Sequence, residues 1–159
     1  NFPPEFWLIE VSGIPYGLMG EMLEGGGNPW RGMLFGMTGR APRVDNGPLW
    51  KLWDSFGMQN SEMIGYWVKD NPVKTGSEKT LATVYTHVGN KTLIALATWE
   101  DADAKVKLSV DWAKLGLDAS KVTLHAPAIE NFQQEGSWKP GDEIVVPKGK
   151  GLLIIAENK

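Results

Sequence analysis

The chain has 159 residues, a formal net charge of −3 and a hydrophobic fraction of 42%. That is enough apolar matter for a core and too much for intrinsic disorder. Without a basic stripe nucleic acid is not an expected partner, no apolar run approaches the ~20 residues of a membrane helix, and the absence of cysteine excludes disulfides, thiolate zinc sites and a cysteine nucleophile.

Composition changes along the chain. All six methionines and all three arginines precede Ile64, and 12 of the 19 glycines and five of the eight tryptophans precede Val68. The sequence starts at Asn1 with neither an initiator Met nor a signal peptide, so it is expected to be the C-terminal portion of a longer protein. Phe6–Val11 reads as a buried strand, and Ile14–Leu23 as a strand followed by a loop. After Gly25-Gly26-Gly27, Asn28-Pro29 is a helix start: Asn as N-cap, Pro in the first helical position. The spacing predicts a helix from Trp30 to about Thr38, stopped at Gly39. A second helix is expected from Pro48 to Phe56, with Leu49, Leu52, Trp53 and Phe56 on one apolar stripe and Gly57 as its C-terminal cap. Helices this short need something to pack against.

From Glu62 the period becomes two. Expected strands are Met63–Val68, Thr80–His87, Thr92–Trp99, Lys105–Val110, Lys121–Ala126, Glu143–Val146 and Leu152–Ala156. Gly89-Asn90 signals a hairpin turn, Leu93–Ala97 is apolar on both faces and should be central, Asp111–Leu115 reads as one helical turn, and Pro147–Gly151 as the turn of a last hairpin. The expected fold is mainly β: an antiparallel sandwich of about seven or eight strands with a Greek-key-like connection, spanning 62–159. It follows a short α/β segment, 1–61, of one strand, a Gly-rich loop and two short helices.

Gly20–Met33, Gly36–Arg40, Pro48–Asp54 and Glu62–Trp67 resemble large bacterial proteins similar to glycoside hydrolase family 123. The likeness continues through Ala126–Phe132 to Lys150–Ile154, and the Gly-Trp-Arg stretch is its most specific part. The resemblance implies a parent with a central (β/α)₈ barrel and a C-terminal sandwich, residues 1–61 being the last barrel elements. It also implies removal of β-linked N-acetylgalactosamine by substrate assistance, through adjacent Asp and Glu. The only Asp-Glu pair here, Asp142-Glu143, sits in a turn inside the sandwich and reads as solvated. No catalytic residue is therefore assigned to this chain, and the pair is expected upstream.

Candidate substrate-binding residues are Glu21, Glu24, Trp30 and Arg31. Glu21 and Glu24 precede the three glycines, where a carboxylate can bind sugar hydroxyls; the plainer reading pairs them with Arg31 or the following helix. Trp30 offers a flat face for a pyranose ring and Arg31 planar donors, though a Trp in the first turn of a short helix is often core. Arg40 and Arg43 have weaker claims. Trp67, Trp99 and Trp112 are expected to brace the sheet or its junction with the barrel, and Trp50 sits beside the helical stripe. His87 and His125 lack metal-ligand spacing, and Glu100, Asp101 and Asp103 read as a solvated hairpin end. No metal and no cofactor is expected.

The reading is thus the C-terminal part of a glycoside-hydrolase-like protein acting on β-linked N-acetylhexosamine-type glycans. The sandwich is a structural accessory, and the fragment itself is inactive. The alternative is a non-catalytic carbohydrate-binding β-sandwich module. Expected partners are carbohydrate in the intact parent and the barrel of the same polypeptide, with no nucleic acid and no membrane. Residues 6–56, parted from their barrel, would favour self-association. Resemblance to polysaccharide-degrading bacterial proteins implies a bacterial, exported protein.

Overall fold

The computed structural model describes residues 3–5, 28–37 and 45–159. The expected strands Phe6–Val11 and Ile14–Leu23, the stop at Gly39, and Glu21, Glu24, Arg40 and Arg43 lie outside them. Ahead of the strands lie the helices α1 (Pro29–Met33) and α2 (Gly47–Phe56). The strands are β1 (Glu62–Ile64), β2 (Val73–Lys74), β3 (Thr80–His87), β4 (Lys91–Thr98), β5 (Ala104–Lys107) and β6 (Ser109–Val110). Helical turn α3 (Trp112–Leu115) precedes β7 (Val122–Ala126), β8 (Gly136–Trp138), β9 (Glu143–Val146) and β10 (Gly151–Asn158). The protein is mainly β and antiparallel, as expected.

Among the described residues, one six-stranded sheet runs β1-β3-β4-β10-β7-β8, with two ribbons, β2-β6 and β5-β9. Long antiparallel ladders join β3 to β4 and β4 to β10. The β3–β4 hairpin turns at Gly89 (φ 79°), where a residue without Cβ enters the left-handed region freely. β10 returns from the end of the chain to lie between β4 and β7, the long crossover of a Greek-key-like connection.

Period-two alternation gives this sheet two apolar faces. Ala82, Val84, Ile94, Leu96, Leu152 and Ile154 point to the ribbons and meet Val73, Val106, Ile144 and Val146 there. On the other face, Tyr85, Leu93, Ala95 and Leu153 meet Met33 of α1 and Leu49 and Phe56 of α2. Leu93, Ile94, Ala95, Leu96 and Ala97 are all buried, which is why β4 is central. Residues 47–56 form a helix only marginally by themselves, and burial of the Leu49/Phe56 stripe against the sheet provides the missing stabilisation. Trp50, beside that stripe, is 50% exposed.

The structure corrects four element expectations. Pro147–Gly151 is not a hairpin turn: β9 pairs with β5 and β10 with β4 and β7. Both strands face one core from opposite layers, so their link must arch between layers. Lys105–Val110 is not one strand. Its alternation is kept, but the chain changes partner at Leu108, β5 joining β9 and β6 joining β2. α1 ends well before Thr38, because Leu34–Gly36 turns and Gly36 adopts φ 71°. The strand expected over Met63–Val68 stops at Ile64, where the chain folds back around Asn71. β2 and β8, of two and three residues, are too short to show a period in sequence.

Candidate functional site

The sequence features with the strongest functional claim converge on α1. Asn28 caps the helix, its Oδ1 accepting from the Arg31 N–H at 3.0 Å, and Pro29 needs no donor in the first turn. The same side chain also reaches the far end of the sequence: Asn28 Nδ2 donates to the Gly149 carbonyl at 2.6 Å. Trp30 Nε1 donates to the Phe132 carbonyl at 3.1 Å, and the two rings lie 5.0 Å apart, tilted by 30°. Lys150 Nζ stands 5.4 Å from the Trp30 ring centroid. Arg31 Nε and Nη2 both donate to the Thr98 carbonyl, at 3.3 and 3.1 Å, and its guanidinium lies 4.5 Å over the Trp99 ring. Partial burial lowers the Arg31 pKa from its usual value. Stacked on an indole and forked onto a carbonyl, it stays a cation.

The turn after α1 is tied down as well. The Tyr85 hydroxyl donates to the Met33 carbonyl at 2.5 Å and that of Thr83 to the Leu34 carbonyl at 2.8 Å, both buried. Residues 28–34 are therefore clasped onto the outer face by groups from β3, β4, the segment after β7, and the β9–β10 arch. Sequence reasoning had marked Trp30 and Arg31 but not their partners. Backbone carbonyls of Thr98, Phe132 and Gly149 leave no side-chain signal, and only Lys150-Gly151 and Ala126–Phe132 hint at them.

Trp30→Phe keeps an aromatic ring but deletes the N–H and the second ring of the indole, so a loss of about 1 kcal/mol or more is expected in urea denaturation. An unchanged midpoint would mean that the Phe132 carbonyl is equally well served by water.

The model of the C-terminal domain of glycoside hydrolase 123 matches residues 45–157. The chain belongs to glycoside hydrolase family 123. The model of that family's TIM-barrel domain matches residues 1–42, so the two pieces stand in the order of a glycoside-hydrolase parent, barrel first. No curated protein and no solved structure gives a match. The division expected between residues 61 and 62 falls inside the C-terminal match. Within the family frame, Asn28, Trp30 and Arg31 belong to the barrel match and their acceptors to the C-terminal match. The clasp is a contact between family 123 domains.

The described carboxylates named earlier serve turns and the surface. Asp142 accepts from the Lys139 N–H at 2.8 Å and closes the turn, while Glu143 makes an exposed ion pair with Lys105 at 3.6 Å between β9 and β5. Asp103 accepts from the Lys148 N–H at 2.8 Å, and Glu100 faces Lys79 at 3.7 Å. His87 bonds the Phe56 carbonyl at 3.1 Å, and His125 meets Glu135 at 3.2 Å.

An open groove of about 360 Å³ lies on the ribbon side, lined by Asp70, Pro72, Lys74, Ser109, Asp111 and Lys114. Several of its polar groups are occupied within the fold: Lys114 Nζ donates to the Asp70 carbonyl, Lys74 Nζ to the Lys69 carbonyl, and Asp111 Oδ1 accepts from the Lys114 N–H. No aromatic ring among the described residues lines it, so they offer it none of the stacking surface that sugar rings favour.

Proposed function

We propose that this chain is the C-terminal part of a glycoside hydrolase acting on β-linked N-acetylhexosamine-type glycans by substrate assistance. The sandwich acts structurally, holding the end of the barrel in place, and the 159-residue chain by itself is inactive. The observation that carries this reading is the clasp: the polar edges of Trp30 and Arg31 are taken by sandwich carbonyls. Glu21 and Glu24, just ahead of α1, are the proposed direct contacts to substrate. Trp30 and Arg31 belong to the same proposed set chiefly by fixing where α1 starts. The parent is proposed to be bacterial and exported, in keeping with polysaccharide-degrading relatives of this kind; no helix among the described residues is long and apolar enough to cross a membrane.

The full-length parent and the 159-residue chain, assayed side by side on an aryl β-N-acetylgalactosaminide, test the proposal. Turnover by the parent alone is expected. A parent inactive on β-linked hexosaminides removes the substrate claim, and turnover by the chain alone removes the accessory role. The binding-module alternative has less to stand on. The exposed Trp67 has its ring against Gly65 and stacked with Phe35, so part of its face is already covered.

A further inference from the structure

The outer layer carries an aromatic group whose exposure the described residues leave unexplained. Phe35 and Trp67 stack with centroids 5.9 Å apart and planes 12° apart. Tyr66 stands edge-on to both, at 5.8 and 5.1 Å. The arrangement is held from behind. A Cβ at Gly65 would lie 2.4 Å from the Trp67 ring, so only glycine lets the indole rest there. The Tyr66 N–H donates to Thr83 Oγ1 at 3.2 Å. Trp67 is nevertheless 42% exposed and its neighbour Val68 38%. A fixed, partly exposed aromatic group is the usual mark of an interface.

Two observations point to what covers it. Barrel-matched residues already supply part of the patch: Phe35 is one of the stacked rings, and the Pro4 carbonyl accepts from the Tyr66 hydroxyl at 3.3 Å. On the same outer layer, Trp53 Nε1 is buried with no acceptor among the described residues. A buried donor is rarely left unpaired in a finished structure, so its acceptor is expected from further polypeptide. A (β/α)₈ barrel typically takes about 250 residues, and the barrel match here spans residues 1–42.

Resting on the reading of a family 123 parent, we infer that the Phe35–Tyr66–Trp67 patch is the seat on which the rest of the barrel domain of the same polypeptide docks. The barrel would extend the contact that Pro4 and Phe35 begin and supply the acceptor for Trp53. A glycan fits the patch poorly, because ring stacking needs an open aromatic face and the stack with Phe35 takes one.

Hydroxyl-radical footprinting of Trp67 and Tyr66, in the full-length parent and in the 159-residue chain, tests the inference residue by residue. Oxidation several-fold slower in the parent is expected. Equal rates in the two proteins overturn it. So does protection that appears only when the 159-residue chain dimerises, which would make a second copy the occupant. Protection of Trp67 in the parent only on adding an N-acetylgalactosamine oligosaccharide would make the patch a glycan platform and also overturn it. In the parent, Trp67→Ala should split one unfolding transition into two, and an unchanged single transition counts against the seat. If that variant does not fold, the wild-type footprint decides. A protected parent without hexosaminidase activity keeps the seat and loses only the substrate reading; an active parent with unprotected Trp67 does the reverse.

Discussion

Gly151→Ala is expected to destabilise the chain by about 3 kcal/mol or more, the upper range for overpacking. A Cβ at Gly151 would lie 1.9 Å from the Leu96 carbonyl oxygen and 3.0 Å from Trp30 Cβ. The first neighbour is backbone and cannot swing aside. Relief would require β10 to part from β4 at the Gly151↔Ala97 pair, where one of the two long ladders of the sheet begins. It would also lift the arch away from α1, loosening the Asn28–Gly149 bond and the Lys150–Trp30 contact. Gly149→Ala is the matching control. Nothing lies within 4 Å of a Cβ there, but the residue has φ 63°, so only the left-handed backbone cost of about 1–2 kcal/mol applies. Urea denaturation of both variants measures the difference. If Gly151→Ala costs no more than Gly149→Ala, the close approach of α1, β4 and β10 is not as tight as described.

Asn71→Ala should cost about 3 kcal/mol, as expected when several buried backbone groups lose their partner at once. Asn71 is 4% exposed. Its Nδ2 shares two protons among the carbonyls of Ile64, Gly65 and Ala82, at 3.2, 3.1 and 3.0 Å, and its Oδ1 accepts from the Val73 N–H at 2.8 Å. One side chain thus ties the end of β1, the start of β2 and the middle of β3 together across both layers. Asn71→Asp keeps the shape but puts an acceptor oxygen where the amide donor faced three carbonyl oxygens, so the carboxyl would favour its protonated form and its folded pKa would be raised. The stability of that variant would be greatest below the unfolded carboxyl pKa, about 4, and would fall as pH rises through the folded value. Urea midpoints at acid and neutral pH give both results. An Asn71→Ala midpoint close to wild type would show that water replaces the amide.

Tyr66 gives a milder pH dependence of its own. Burial, and then the charge of Glu5, push its phenol up to about 12. Between the unfolded value of about 10 and about 12, the unfolded state has lost the proton that the folded state retains, so stability is expected to decline with rising pH in that window and not below it. Absorbance titration at alkaline pH, compared with Tyr66→Phe, isolates the effect. A normal phenol titration in the folded chain would remove it.

How much of this was readable beforehand depends on what each feature rests on. β3 and β9 appear within their expected bounds, and β4 shifts by one residue at each end, because period-two patterning and Gly89-Asn90 are written in side chains. The Asn28-Pro29 start and the Gly57 cap of α2 also held, since caps are local chemistry. Strand pairing was another matter. The Pro147–Gly151 segment has the composition of a hairpin turn, yet it crosses between layers, because pairing depends on which core each flanking strand must face. Trp30 and Arg31 were singled out, but their acceptors are main-chain carbonyls of Phe132 and Thr98. Every residue has a carbonyl, so composition cannot mark the one that is used.

The sequence by itself determined the β class, the two-part composition, the start of α1, the Gly57 end of α2 and the family, through side-chain periodicity, capping chemistry and a specific Gly-Trp-Arg segment. Only the tertiary structure decided that the large sheet is apolar on both faces, that β9 and β10 part company, and that α1 is clasped to the sandwich. Those features depend on distant groups meeting, such as Asn28 with Gly149 and Trp30 with Phe132. Such meetings are set by packing of the whole chain, where backbone groups with no identity of their own take their partners by position.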